Sequence, residues 1–320
     1  MSGGSIVKDQ AKSWSDATRE CPVDPIPRWT AFARSLRPLR VIADKSMRRT
    51  YTHQEFLDAS ALVCREAAHS SLIGDKSAGL WQMEKLGFSY CRHARGTLNT
   101  SDIPIEIQPI SHVGLGIAAT ETAGFSSDRV SELIDSRAHP DFREFPYESI
   151  GCIWAVYANK IYRWMFRTIS KANIPVTKLP PWAEFASQFS PEIQRLLNHG
   201  YGRTLYFKNC SVRRAIREAG RVEGVNVAAA AQGIAFAYAM LNHSDLHQVL
   251  ETGRDIKNEE IAEGFRKGLT YALAFWEWPF PGFLDSLNAR TDRQSSFIST
   301  AKDLTDRCRL TKRFVGFGTD

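Results

Sequence analysis

From Thr52 onward, apolar residues recur three and four positions apart. Phe56, Leu57, Ala61 and Leu62 follow that spacing toward Ala68, and Thr52 just ahead of them is a natural N-cap, so the pattern predicts a helix over this stretch. Residues 75–95 continue as a second helical stretch. The first fifty residues lack a steady pattern: Pro22, Pro25 and Pro27 interrupt them, and only Trp29 to Leu36 has the spacing of a short amphipathic helix. Ile103-Pro104-Ile105-Glu106-Ile107 alternates as a strand would. A single short run with no partner reads instead as an extended linker.

Further along, three apolar stretches share one arrangement of residues. Gly151 is followed by Trp154 and Ala155, Gly233 by Phe236 and Ala237, and Gly268 by Tyr271 and Ala272; Gly87, Tyr90 and Cys91 form a fainter fourth copy. Positions i and i+4 share a helical face, so glycine and a small residue make a shallow notch where a second helix can come close. A glycine inside a helix costs about 1 kcal/mol relative to alanine, and close packing is the expected compensation. Gly114-x-Gly116 and Gly200-x-Gly202 precede two of these notches, at spacings of 31 to 35 residues that suit paired-helix repeats. Neither completes a phosphate-binding loop, and both read as helix-start glycines that permit close approach. The expected fold class is therefore all-α, with duplicated helical units forming a degenerate helix-pair repeat in one compact domain. The expected divisions are an irregular lead-in at 1–50, a first helical half at 51–174, a second at 175–285 and a polar, basic tail at 286–320.

The 41 basic residues outnumber the 35 acidic ones in a chain of 320, for a formal charge of +6. Acids interleave with most of the bases, as in Arg213-Arg214-Ala215-Ile216-Arg217-Glu218, which suits a solvated helix face. The clearest basic excess, from Arg290 to Arg313, lacks interleaved aromatics, so it reads as a solvated tail and no nucleic-acid partner is expected. Six scattered cysteines with no CxxC argue against a zinc ribbon or a disulfide framework, and Cys152 reads as a buried small hydrophobe. The N-terminal residues have no apolar core of signal-peptide length. The longest apolar run, Val225 to Leu241, is short of a membrane span and reads as a core helix. A cytoplasmic location is expected.

Few residues suggest chemistry. His243 and His247 share the spacing of metal ligands on one helix face, but Ser244 or Asp245 is a better helix start, so no metal is expected there. The chain has no aspartate-rich run of the terpene-cyclase kind and no GxSxG. Arg203 stands out, because it opens the apolar stretch Leu205-Tyr206-Phe207, and a guanidinium buried there requires a carboxylate, a carbonyl or a ligand. Glu121 and Glu148, both flanked by apolar residues, are the candidate partners or acids. Gln232 stands immediately before the Gly233 notch.

Gly200-Tyr-Gly202-Arg203-Thr-Leu205-Tyr206-Phe207, followed by Gln232-Gly233-Ile-Ala-Phe236-Ala-Tyr-Ala, resembles the UnbL-like family of bacterial proteins associated with enediyne polyketide biosynthesis. The likeness covers roughly residues 85 to 280, with Gly114 to Ala158 similar to that family's first half. Val113 stands where the family usually has a glutamate, and Tyr206 where it often has tryptophan. The resemblance implies a secondary-metabolism role on a long unsaturated acyl or polyene substrate, without fixing a reaction or a cofactor. The expected ligand-binding residues are Gly202, Arg203, Tyr206, Gln232, Gly233, Phe236, Trp154 and Tyr271, lining a site between the helical halves. The alternatives are a non-catalytic helical scaffold for a protein partner and a noncanonical terpene-cyclase-like enzyme.

Overall fold

Thr52 caps the first long helix as its place before the apolar run predicts. Its hydroxyl accepts from the Glu55 backbone N–H, and the Glu55 side chain returns to the Thr52 backbone N–H, a reciprocal capping box. The computed structural model describes residues 26–34, 51–70, 73–93, 105, 107–170, 174 and 179–311. Helices α1 (His53–His69) and α2 (Ile73–His93) are followed by α3 (Gln108–Ala123), α4 (Ser127–Arg137), α5 (Glu144–Ala158) and α6 (Lys160–Ser170). Then come α7 (Trp182–Ala186), α8 (Pro191–Asn209), α9 (Val212–Ala219), α10 (Val227–Leu241), α11 (Leu246–Glu251), α12 (Glu259–Glu277) and α13 (Asp292–Thr311). Among the described residues there is no strand, so the all-α expectation holds. No described helix is long and apolar enough to cross a membrane.

Helices α3, α5, α8, α10 and α12 pack side by side as a layer, each against the next, and α2 packs against α3. Glycines govern the spacing. A β-carbon built on Gly151 of α5 falls 2.0 Å from the Leu197 carbonyl oxygen of α8, and one built on Gly233 of α10 falls 1.8 Å from the His199 carbonyl oxygen. Gly202 of α8 meets the Ala230 carbonyl of α10, and Gly114 of α3 meets the backbone of α2 at Gly87 and Phe88. A methyl group at any of these positions would force two helix backbones apart.

The G-x-G motifs acquire a physical reason here. Two residues along a helix are rotated by about 200°, so their Cα atoms face opposite sides. Gly200 accordingly meets α5 at the Glu148 carbonyl while Gly202 meets α10; Gly114 meets α2 while Gly116 meets α5 at Pro146. A helix in the middle of a layer needs close approach on both flanks, and G-x-G supplies it. The expectation that these glycines start helices is corrected. All four lie inside α3 or α8, where a start would leave one flank without its neighbour.

The pairing also fixes direction. Residue 151 meets 197 while 148 meets 200, so α5 and α8 run antiparallel; 202 meets 230 while 199 meets 233, so α8 and α10 do too. Helix α12 is parallel to α10, since Gly264 meets Ala228 and Gly268 meets Gln232. Helix α2 covers one face of the layer: the Ser77 hydroxyl donates to the Met240 carbonyl of α10, and the Trp81 ring stands edge-on to Phe207 of α8.

Within the N-terminal lead-in, residues 28–34 are helical, in line with the short amphipathic helix expected from Trp29 onward, and Arg34 donates to the Asn242 side chain at 2.9 Å and pairs with Asp245 at 2.6 Å. The expected solvated tail contains α13, which buries Phe297, Ala301, Leu304 and Cys308 against its neighbours. Those four positions form one apolar stripe, which outweighs the surrounding charge once a packing surface exists. Of the expected linker at 103–107, residues 103, 104 and 106 lie outside the described residues, as does part of the 175–191 connection, whose remainder includes α7.

Candidate functional site

Arg203 follows Gly202 by one position and Gly200 by three, so its side chain leaves α8 out of the plane of the layer, toward the face covered by α2. His199, one turn earlier, shares that face. Glu148 projects to the same side from α5, and the three meet. Arg203 donates through Nη1 to Glu148 Oε1 at 2.7 Å, and His199 Nδ1 lies 3.1 Å from the same oxygen. An ionised carboxylate only accepts, so Nδ1 of His199 carries the proton. Arg203 is 7% exposed, Glu148 1% and His199 fully buried.

A second carboxylate approaches from α2. Glu84 Oε2 stands 3.8 Å from Arg203 Nη2, with its side chain one-fifth exposed. The two glutamates titrate in opposite directions. Burial alone would raise the Glu148 carboxyl; the Arg203 charge and the His199 and Arg203 hydrogen bonds outweigh it and hold it at about 2. Burial raises the Glu84 carboxyl, with the Arg203 charge opposing and the Glu148 charge reinforcing it. Burial lowers the pKa of His199, so its imidazole is neutral beside the carboxylate. One guanidinium therefore lies between a carboxylate held as an anion and one that takes up a proton more readily.

This cluster forms the polar floor of a narrow crevice lined by Leu80, Trp81, Ile110, Val113, Met240 and Phe275, with Phe236 against Arg203. The Arg203 Cζ lies 5.9 Å from the Trp81 ring centroid and 5.3 Å from that of Phe236. About 330 Å³ of atom-free space lies along the crevice, counting its open mouth; the part a water molecule can enter is far smaller. A longer ligand has to part α2 from the layer.

Of the residues expected at the site, Arg203, Glu148 and Phe236 line this crevice. Glu121 does not: it pairs with Arg92 at 2.7 Å. Gly202 and Gly233 are helix contact points, and Gln232 lends its carbonyl to the Gly268 contact. Tyr206 is buried against Tyr238 and accepts from the Asn242 side chain at 2.9 Å. Trp154 packs with Trp182 and Tyr201, and Tyr271 is buried outside the crevice lining. Trp154 and Phe236 both stand three residues after a notch glycine, yet they face opposite sides. Helices α5 and α10 are parallel and flank α8 from opposite directions, so the same offset turns their side chains to opposite faces of the layer.

Glu84, His199 and Trp81 were not expected at the site. A signal for two of them exists in the sequence: Glu84 precedes Gly87 by three residues as Glu148 precedes Gly151, and His199 precedes Arg203 by one helical turn.

Other candidate groups are structural. Cys152 donates to the Gly200 carbonyl at 3.1 Å, and burial pushes its thiol up to about 12. His247 bonds the Gln294 side chain at 3.0 Å. Among the described residues no three His, Cys, Asp or Glu side chains stand together as a metal site, and the five described cysteines form no disulfide. The fold and site thus define an all-α protein with a Glu–Arg–Glu cluster, buried at Glu148 and Arg203 and partly exposed at Glu84, along an apolar crevice. Comparison with protein-family models, with curated proteins and with solved structures gives no match.

Proposed function

We propose that the protein binds a slender apolar molecule, of the polyene kind, in the crevice between α2 and the helical layer, as an enzyme or accessory protein of bacterial secondary-metabolite biosynthesis in the cytoplasm. The single observation carrying the binding reading is the buried Arg203 at the floor of a crevice walled by Trp81, Phe236 and Phe275. The biosynthetic setting rests on the resemblance of residues 200–207 and 232–239 to the UnbL-like family. The crevice draws residues from both sides of position 175, in keeping with a ligand held between the two expected halves. The reciprocal glycine contacts of α2 with α3, α5 with α8 and α8 with α10 are read as the trace of a duplicated helix unit. Titration with diphenylhexatriene, a neutral polyene that fluoresces in apolar surroundings, tests the binding. Wild type gives a saturable signal, and Val113→Trp, which fills the crevice, removes it. A linear, non-saturating signal overturns the reading.

A second reading, docking of an acidic protein partner, is favoured by α6. Ile161 and Trp164 are each 67% exposed on this helix, beside Lys160 and Arg163. Under that reading Trp164→Ser abolishes salt-sensitive association with the partner and leaves thermal unfolding unchanged.

A further inference from the structure

The Arg203 guanidinium is only partly satisfied. Nη1 is taken by Glu148, Nε is buried with no hydrogen-bond partner, and Nη2 stands 3.8 Å from Glu84, beyond hydrogen-bond reach. Among the described residues Glu84 has no hydrogen bond, and its contact with Arg203 is its one ion pair. Donor and acceptor thus face each other across a gap that one oxygen atom can bridge, at the floor of an otherwise apolar crevice.

From this geometry we infer that the crevice is selective for an apolar molecule bearing a hydroxyl group, seated between Arg203 Nη2 and Glu84. The inference rests on the apolar-ligand reading above and names its ligand class. A hydroxyl oxygen accepts from Nη2 and its O–H donates to the Glu84 carboxylate, so both halves of the bridge are used.

Other head groups fit less well. A carboxylate adds a third negative group to two glutamates that share one guanidinium, with neutral His199 offering no further charge. An ammonium competes with Arg203 for the same carboxylates at close range. A purely apolar end strips water from Nη2 and Glu84 and leaves both unsatisfied. An ether accepts but cannot donate, and loses the Glu84 half of the bridge.

The test displaces diphenylhexatriene from the full-length protein with four ten-carbon ligands: 1-decanol, its methyl ether, decanoate and decylamine. Decanol should displace the probe at a concentration about tenfold below each of the others. Glu84→Leu should bring alcohol and ether within about twofold of each other while the probe still binds. Equal potency of alcohol and ether in wild type, or a stronger acid or amine, overturns the hydroxyl assignment and leaves the apolar-ligand reading standing. Failure of the probe and all four ligands to bind wild type overturns both.

Discussion

Gly200 and Glu148 meet backbone to backbone: a β-carbon built on Gly200 falls 1.8 Å from the Glu148 carbonyl oxygen. The side chain of the same glutamate carries the charge on which Arg203 and His199 converge. Helix spacing and site geometry are thus set at one residue, and a change in either reaches the other.

Gly200→Ala should therefore destabilise the protein by roughly 3 kcal/mol or more, because the obstacle is helix backbone that has no alternative rotamer. Gly282→Ala is the contrast. Nothing lies within 4 Å of a β-carbon there, and only its positive φ of 85° opposes a side chain, for a cost of about 1 kcal/mol. Chemical denaturation of both variants measures the difference, and comparable losses would refute the close-approach argument.

Removing one partner of a buried ion pair leaves the other charge uncompensated, so Glu148→Leu should cost about 3–5 kcal/mol. The double variant Glu148→Leu/Arg203→Met should recover much of that loss, since no charge is then stranded. Glu84→Gln, at a one-fifth exposed position with no hydrogen bond to lose, should change stability by less than about 1 kcal/mol. A double-mutant cycle by thermal unfolding checks all three, and strict additivity would show that Glu148 and Arg203 are not coupled.

His112 on α3, outside the crevice lining although next to Val113, supplies a separate pH dependence. It is fully buried, with Nδ1 2.7 Å from the Gln108 carbonyl and Nε2 accepting from the His139 backbone N–H at 3.0 Å. Both contacts suit the neutral ring, and burial lowers its pKa to about 4. The unfolded chain takes up this proton near pH ~6.5, ahead of the folded one, so stability is full above that value and falls as pH drops toward 4. The loss from His112 is about 3 kcal/mol, and His199, also lowered by burial, adds in the same direction. Glu148 acts lower: its contribution is present above about 4.3 and lost as pH falls toward 2. Denaturation at a series of pH values should show a shallower slope between 6.5 and 4 for His112→Gln; an unchanged slope would assign the effect elsewhere.

Arg34 offers a test of the N-terminal segment. Its guanidinium reaches the buried Asn242 at the end of α10 and also pairs with Asp245. Arg34→Ala should cost about 1–2 kcal/mol through the lost charged hydrogen bond to Asn242. Hydrogen exchange should also speed up at the start of α11. Unchanged exchange there would mean that residues 28–34 do not brace that end of α10.

Much of the helical framework was legible from residue 52 onward, because periodicity and capping are local: Thr52 ahead of its apolar run and the Val225 to Leu241 run needed no tertiary knowledge. The notch glycines were legible too, since a buried helix has little other reason to keep Gly151, Gly233 and Gly268. The site was legible only in part. Arg203 and Glu148 stand out as charges inside apolar stretches, whereas Trp154, Tyr206 and Tyr271 flank the same motifs and yet lie outside the crevice lining. Glu84 lies next to Lys85 in a segment with ordinary charge spacing, and its one distinguishing mark is its place three residues before Gly87, the weakest of the four notch copies.

The sequence by itself determined that the chain forms helices, and where their backbones can touch, because both follow from spacing within one helix. Only the tertiary structure decided which neighbour each glycine meets, which face each Gly-plus-three aromatic takes, and that α2 brings Glu84 to Arg203. Those outcomes depend on the order and direction in which helices lie beside one another, a relation between distant segments that no local spacing encodes.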